Sequence, residues 1–474
     1  MFFFKKNKFH KSYWKLFTII LVTIIVLFSS GYAQIPSQKV YLTLQGSISR
    51  ALQGNNQLKS SYYGLQKANW DKYRAWTQFL PTANLSSRYM YIDDRTFTER
   101  DFRSYLPPEL NDVIPQTVFQ ESYYTAIDVS MPLFNGVLLN GLRIANASKK
   151  TAQKMNESMR NNILFQVISS YLAVLKSEDL LQLQKDFTNL AKLNYEKAER
   201  QRLAGRLSEN ELLFWEIDYQ SQQSSLINTE SVLRTTKSVL TNLIDMDMFT
   251  DFEVESTIPI NLLNEAELFT NLSNNEILQM IKFSDDELIK ANAALTASQS
   301  QTTLSKLLYK NTYSSYLPNV NLLYTHAWRE NNTLQLDDYS PKTFIINFSI
   351  PLFTSFQNFS NVKSSYFEYR QSEEEHQNQL DNIRFVLSET ANKIIDLKTQ
   401  SELSKLNVKY SQNNYRIIEQ QKERGLISNI DFINTKLALQ NNELTDIINQ
   451  YDFISAIIEL NYLLGRLDKI VLID

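Results

Sequence analysis

Long stretches of this chain lack the residues that end helices. Between Pro132 and Pro259 there is no other proline, and after the first ten residues of that stretch the only glycine is Gly205. A second proline-free stretch follows Pro351, and its first glycine is Gly425. Glycine and proline both destabilise the interior of a helix. Their scarcity, with 9 glycines and 10 prolines in 474 residues, therefore predicts very long helices.

Two such helices are predicted, from about residue 138 to 203 and from about residue 356 to 423. At 1.5 Å per residue, each is roughly 100 Å long. Apolar residues recur along both at steps of three and four, as in coiled coils. Examples are Leu164, Ile168, Tyr171, Leu175, Leu380, Ile383, Leu387, Ile394 and Leu397. So narrow an apolar stripe must be covered by neighbouring helices. A self-contained stack of helical hairpins has the same periodicity and is the alternative.

The N-terminal residues 1–33 predict a secretory signal peptide. Five lysines precede an apolar run from Leu16 to Phe28, and Gly31 and Ala33 suit cleavage after Ala33. The run of about 13 residues is shorter than the ~20 of a spanning helix, which leaves an uncleaved anchor as the alternative. The chain has no cysteine, which excludes disulfides, thiolate nucleophiles and a lipid-modified cysteine.

The chain repeats itself. The stretch FLPTANLSSRYMY (79–91) recurs as YLPNVNLLYTHAW (316–328), and IDVSMPLFNG (127–136) recurs as INFSIPLFTS (346–355). Two copies of one unit explain this order: helix, strand, strand, very long helix, turn and helix. The predicted division is a first repeat at 34–255, a linker at 256–272 and a second repeat at 273–474.

Four strands are predicted, two in each repeat, and each has one apolar face. Each is about ten residues long with aromatics near its ends, which is typical of a tilted membrane-spanning strand. A soluble antiparallel sheet alternates in the same way and is the alternative. The residues predicted to face lipid are Leu85, Tyr89, Tyr91, Ile127, Val129, Met131, Leu322, Trp328, Phe344, Ile346, Phe348 and Ile350.

The strand count itself predicts oligomerisation. About eight strands are the minimum for a closed barrel, and lipid does not tolerate open sheet edges. Four membrane strands per chain therefore require several copies of the chain around one barrel.

Each long helix is followed by the same turn signal. A glycine suits the left-handed residue after the helix, a serine three residues on suits the N-cap of the next helix, and an acidic residue three further completes a capping box. The two sets are Gly205, Ser208 and Glu211, and Gly425, Ser428 and Asp431. Because Asp is the weaker choice for the box, the second turn is expected to be capped less completely.

These turns lie at the far end of the predicted rods. They are either well-capped hairpins and nothing more, or docking surfaces for a partner that meets the rod end to end. The tip residues considered for docking are Gly205, Arg206, Leu207, Ser208, Gly425, Leu426, Ile427 and Ser428.

Together, the LP strand entries, the PLF strand exits and the repeated Gly–Ser–acid turns resemble the TolC family of outer-membrane efflux proteins. The resemblance covers essentially the whole chain after the signal peptide. It implies a mixed fold, with a membrane β-barrel above a long α-helical, coiled-coil-like barrel. In that fold, three chains with four strands each form a trimer with a twelve-stranded barrel.

The resemblance also implies a function. The trimer would be the outer-membrane exit duct of a tripartite efflux pump or a type I secretion system, in a Gram-negative cell, reaching into the periplasm. Its tips would meet a periplasmic adaptor (membrane fusion) protein, which links it to an inner-membrane pump. The duct would passively conduct small molecules or proteins to the exterior.

Some relatives close the tunnel with arginine–acid links just after the turn glycine. The stretch Leu426–Ser428 contains no basic residue, so a latch of that kind is not expected at the second turn. Glu211, Asp431 and Asn434 are the candidates for a narrow point of the passage.

The sequence offers little for catalysis. His326 and His376 are the only histidines after the signal peptide, and Glu373–Glu375 most resembles a solvated helix face. No Gly-rich phosphate loop, HExxH or hydrolase motif is present. We therefore expect no enzyme, cofactor or metal site, and the net charge of −3 gives no indication of nucleic acid. The alternative functions are an exported scaffold or adhesin-like protein, and an enzyme with an unrecognised site.

Overall fold

The structure, a computed structural model, describes residues 40–111, 113–248, 250–330 and 341–471. The signal peptide predicted at residues 1–33 lies outside the described residues. The first half contains two short helices, a strand, a second strand, a very long helix and a returning helix. In chain order these and the smaller elements are β1 (Val40–Leu42), α1 (Leu44–Gly54), α2 (Asn56–Thr77), β2 (Thr82–Tyr91), α3 (Asp94–Arg100), β3 (Glu121–Asn135), α4 (Gly136–Leu203) and α5 (Glu209–Leu243).

The second half repeats this order after a short connecting region. Its elements are β4 (Phe252–Val254), α6 (Ile260–Asn271), α7 (Asn274–Met280), α8 (Asp285–Ala291), α9 (Ala293–Thr312), β5 (Asn319–Glu330), β6 (Lys342–Ser349), α10 (Gln357–Glu423), α11 (Asn429–Leu463) and α12 (Leu467–Val471). The starts predicted for the two long helices differ from α4 and α10 by two residues and one residue, and their ends agree. The predicted linker contains α6.

The four long strands form one antiparallel sheet in the order β2-β3-β5-β6. Its register places Leu85 opposite Ile127, and Leu322 opposite both Met131 and Ile346. The apolar strand residues named above thus share one face of the sheet, with Ile350 just past the end of β6. Contact of this face with lipid remains a prediction.

The main core lies where the middle of α4 meets α1, α6, α11 and the small parallel sheet β1–β4. Tyr171 is completely buried there, and its hydroxyl donates to the carbonyl oxygen of Leu42 at 3.3 Å. Burial raises the pKa of Tyr171 to about 12. A second core joins α10 and α11 to the helices between α6 and α9. Both cores lie away from the helix tips, so the tips depend on local contacts.

One buried asparagine in each repeat joins a short helix to the end of a hairpin. Asn55 caps α2 through its Oδ1 and donates from Nδ2 to the carbonyl of Leu243 at 3.0 Å. Asn292 caps α9 in the same way and donates to the carbonyl of Leu463, also at 3.0 Å. The end of α5 is therefore fixed to the start of α2, and the end of α11 to the start of α9.

The same two junctions contain a close backbone approach. Asp245 and Gly465, each the second residue after the end of α5 or α11, have φ values of 53° and 62°. A Cβ added at Gly54 would lie 2.7 Å from the Cβ of Asp245, and one added at Gly465 would lie 2.0 Å from the carbonyl oxygen of Ala291. Each junction therefore requires one glycine. In the first repeat this is Gly54, at the end of the short helix, and in the second it is Gly465, after the returning helix.

None of the helices in the described part of the chain combines the length and the apolar character that a membrane-crossing helix requires.

Candidate functional site at the helix tips

Both tips end their long helix with the same backbone motif. Gly205 and Gly425 have φ values of +69° and +74°, and open space surrounds the position of a Cβ at each. The conformation, rather than crowding, therefore selects glycine. At the first tip the amide of Gly205 donates to the carbonyl of Arg202 and the next amide donates to Gln201, which is a Schellman motif. The second tip repeats both bonds.

The two tips differ in how the returning helix is capped. Glu211 N donates to Ser208 Oγ (3.3 Å), and Glu211 Oε2 accepts from the backbone N of Ser208 (3.1 Å), which completes a capping box. The backbone N–H and hydroxyl of Ser208 hold the pKa of Glu211 below its ordinary value. At the second tip Asp431 N donates to Ser428 Oγ (3.0 Å), and its carboxylate accepts only the serine hydroxyl (2.7 Å). The shorter Asp side chain explains the missing reciprocal bond.

Of the apolar residues considered for docking, Leu426 faces outward, whereas Leu207 and Ile427 do not. Leu207 and Ile427 are half-buried against an aromatic cluster that includes Trp215. Leu203 and Leu426 are instead 80% and 68% exposed. The remaining predicted tip residues also lie at the surface: Gly205, Arg206, Ser208, Gly425 and Ser428. Leu203, which follows the basic residues of the last turn of α4, was not among the predicted tip residues.

The two tips also contact each other. Asn429 Nδ2 donates to Glu211 Oε1 at 3.4 Å, and Lys422 Nζ donates to Asn429 Oδ1. The Lys422 ammonium lies 5.9 Å from the centre of the Trp215 ring. Burial lowers the pKa of Lys422, while the nearby Glu211 carboxylate opposes that shift. These contacts link the turn of the first repeat to the turn of the second.

Three residues were candidates for a narrow point of the passage. Glu211 lies at the contact between the two tips, and Asp431 lies in the N-terminal cap of α11. Asn434 is exposed almost one turn further along α11. A cavity of about 510 Å³ separates the tips, and its lining includes Lys197, Glu419 and Glu423. The contact between the hairpins thus combines charged and amide groups with an aromatic cluster, in which the ring centres of Trp215 and Phe432 lie 6.0 Å apart.

Behind the tip cluster, the two hairpins are joined by buried polar side chains. Lys436 of α11 forms an ion pair with Asp218 of α5. Further along, the side chains of Gln184, Gln222 and Gln440 form a closed triangle of hydrogen bonds. Gln184 Nε2 donates to Gln222 Oε1 (2.8 Å), Gln222 Nε2 to Gln440 Oε1 (3.2 Å), and Gln440 Nε2 to Gln184 Oε1 (3.2 Å).

The described residues offer no arrangement for metal chemistry. Within them, no three His, Asp or Glu side chains come close enough together to hold a metal ion. His376 Nδ1 lies 3.0 Å from Ser298 Oγ, and the ring of His326 stacks on Trp328 at 4.3 Å. The tips instead combine exposed leucines with a network of polar contacts.

A protein-family model matches part of the sequence. A model of the outer membrane efflux protein family matches residues 284–466, from the start of α8 to the end of α11. No curated protein matches the chain in sequence.

Solved structures show the same fold over most of the chain. The CmeC outer membrane channel of Campylobacter jejuni has a TM-score of 0.74 at 14% identity, covering 90% of this chain and 86% of that one. The outer membrane protein VceC of Vibrio cholerae has a TM-score of 0.71 at 14% identity, covering 89% and 96%. The open MtrE outer membrane channel of Neisseria gonorrhoeae has a TM-score of 0.69 at 13% identity, covering 90% and 89%. The predicted TolC-like chain fold is thereby confirmed.

Proposed function

We propose that this chain, whose second half matches the outer membrane efflux protein family and whose fold is that of solved outer membrane channels, forms the exit duct of a tripartite efflux pump or a type I secretion system. It is a channel and not an enzyme, lies in the outer membrane of a Gram-negative cell and extends into the periplasm. Small molecules or proteins pass through it passively to the exterior, and the energy comes from the inner-membrane pump.

The observation that carries this proposal is that the chain forms an open arc with two unlike edges. The outermost strands of the sheet are β2 and β6, and every residue of both strands is exposed. Such edges have unpaired backbone groups, which lipid does not tolerate. One edge strand comes from each repeat, so β2 of one chain can pair with β6 of the next.

The helices form an arc with the same two ends. The helix α4 packs against α2 and α5 on one side and against α9 and α11 on the other, and α10 packs against α9 and α11. This leaves α2 and α5 at one edge and α10 at the opposite edge. Large aromatic side chains are exposed at both edges, including Trp70 (71%) and Tyr73 on α2, and Phe367 (65%) and Phe385 on α10.

Unlike edges that meet head to tail generate a ring when the rotation closes. Since about eight strands is the minimum for a barrel, one chain is insufficient. Three chains give the twelve-stranded barrel that the resemblance implies, with the helices forming a tunnel below it. The twelve apolar strand residues then face lipid, and the opposite, polar face of the sheet lines the passage.

The tips of the tunnel are proposed to bind a periplasmic adaptor protein. They lie at the end opposite to the sheet, and Leu203 and Leu426 give each chain two exposed apolar contacts there. Glu211, Asp431 and Asn434 are retained as candidates for lining a narrow point, because the assembled ring brings three copies of each together.

Ring closure can be tested directly because the natural chain has no cysteine. A variant with Trp70→Cys and Phe367→Cys has one thiol on each helical edge. Treatment of outer membranes with a flexible bismaleimide should produce covalent two-chain and three-chain species, with three as the largest. Each single-cysteine variant is the control and should remain monomeric on a denaturing gel, because equivalent edges do not meet. Cross-linked chains from a single-cysteine variant would contradict the proposed ring. So would the absence of cross-linked chains from the double-cysteine variant.

A further inference from the structure

Two arginines flank one tyrosine on the polar face of the sheet. The register aligns Arg88 of β2, Tyr124 of β3 and Arg329 of β5 in one row across three neighbouring strands. The guanidinium carbons of Arg88 and Arg329 lie 5.9 Å and 5.8 Å from the centre of the Tyr124 ring. Both arginines are exposed. The aromatic ring thus holds two cationic groups on the same face by cation–π contact.

The row lies at the end of the sheet away from the helices. The helix α2 leads into the start of β2, and β3 leads directly into α4, so all long helices attach at the opposite end. Arg88 comes three residues before β2 ends, and Arg329 one residue before β5 ends. In the orientation proposed above, this is the outer end of the passage.

The rows between these arginines and the helices place no acidic side chain directly beside them. The adjacent row contains the small residues Ser86, Ala126 and Ala327. In the row beyond it, Asp128 accepts a hydrogen bond from Thr325 Oγ1 at 2.6 Å. In the part of the chain that the structure describes, no carboxylate oxygen lies within 4.0 Å of either guanidinium group.

Glu121, an acidic residue near this end, belongs to the other face by register. It pairs with Tyr91, which has the parity of the apolar face. One basic residue, Lys342, also has that parity, since it pairs with His326. By register, both arginines lie on the polar face, which lines the passage in the proposed assembly, while Glu121 and Lys342 lie on the opposite face.

We propose that these arginines select for anionic solutes at the outer end of the passage. This inference rests on the proposed function, because three chains are needed to bring six guanidinium groups around one opening. A ring of arginines raises the local concentration of anions and repels cations, as in anion-selective pores. The Tyr124 ring is a positioning residue, since it fixes the two guanidinium groups of its chain at one height.

Selectivity can be measured with purified protein in planar lipid bilayers under a potassium chloride gradient. Replacing both arginines, in an Arg88→Gln and Arg329→Gln variant, should lower the chloride-to-potassium permeability ratio by about threefold or more. Each single replacement should give an intermediate ratio. A variant with lysine at both positions retains the charge and should keep a ratio close to that of the natural protein.

Lys342→Gln is the matched control, because it removes a positive charge near the same end of the sheet but on the opposite face. Its permeability ratio should not change. A second measurement uses inorganic tripolyphosphate as a blocking anion. It should reduce the current more strongly from the side of the strand ends than from the side of the helix tips, and the double glutamine variant should lose this difference.

The outcomes separate the two proposals. If the double glutamine variant conducts with an unchanged permeability ratio, the selectivity inference is wrong and the channel proposal stands. A shift with Lys342→Gln as large as that of the double variant would also overturn it, because the faces would then be assigned incorrectly. Inserted natural protein that conducts no ions at all would overturn the channel proposal and the inference with it.

Discussion

Lys436 of α11 is completely buried and contacts both carboxylate oxygens of Asp218, at 2.8 Å and 2.6 Å. The pair joins the second hairpin to α5 of the first hairpin, behind the aromatic cluster of the tips. Charges so well removed from water are stabilising only as long as both partners are present. This ion pair is therefore a sensitive point in the contact between the two repeats.

Removing one member of the pair should destabilise the helical region strongly. We expect Asp218→Leu to lower the free energy of unfolding by about 3 kcal/mol or more, because it leaves the Lys436 ammonium buried without a partner. The double variant with Lys436→Met should recover most of that loss. Urea unfolding in detergent, followed by circular dichroism, measures both, with the exposed Lys409→Met as the control. A double variant less stable than Asp218→Leu would contradict this account.

The glycines at the hairpin junctions give a second prediction. Gly465→Ala should lower the free energy of unfolding by about 1–3 kcal/mol, because alanine is strained at positive φ and its methyl group would collide with the Ala291 carbonyl. Gly64 on α2 is the control, since a Cβ there meets no atom within 4 Å. Gly64→Ala should be neutral or stabilising by up to ~1 kcal/mol. Equal effects at both positions would argue against the close approach.

The capping box of the first tip should make that tip sensitive to acid. The folded state lowers the pKa of Glu211 below its ordinary value of 4.5, so its stabilisation is present above that value and is lost as pH falls through the lowered folded pKa. Amide hydrogen exchange around residues 208–212, normalised to the intrinsic rate, should show less protection in that acidic window. In Glu211→Gln the protection should already be reduced at pH 7 and should change little with acid. Identical profiles for the two proteins would contradict this role.

The tip residues should separate into two groups when they are substituted. Leu203→Asp and Leu426→Asp should reduce adaptor binding and export while the trimer still assembles, because both side chains are exposed. Leu207→Ala and Ile427→Ala should instead loosen the tip, since they remove packing from the cluster around Trp215. Binding of purified adaptor and trimer migration on gels without heating distinguish the two effects. Unchanged export with both aspartates present would show that the adaptor does not use these leucines.

Much of the architecture can be predicted from the sequence because it depends on local signals. The positions of the few glycines and prolines predicted the ends of the long helices closely. Alternation of apolar and polar residues in the strands identified which residues share a face. The capping difference between Glu211 and Asp431 follows from one methylene group and was also expected from the sequence.

Contacts between distant segments could not be predicted. The pairing of Lys436 with Asp218 depends on the axial register of two hairpins, which apolar periodicity does not specify. The strands β1 and β4 have three residues each, too few for an alternating pattern to be visible. Leu207 and Ile427 were considered for docking because of their place in the turn, which does not specify the direction of their side chains.

The glutamine triangle has a consequence for how the two repeats can change. Each of the three amides is at once donor and acceptor in one closed circuit, and no water or backbone group is needed to complete that circuit. Loss of any one of the three side chains leaves buried hydrogen-bonding groups of the other two without a partner in the triangle. We therefore expect positions 184, 222 and 440 to tolerate substitution only together, which couples α4 and α5 to α11.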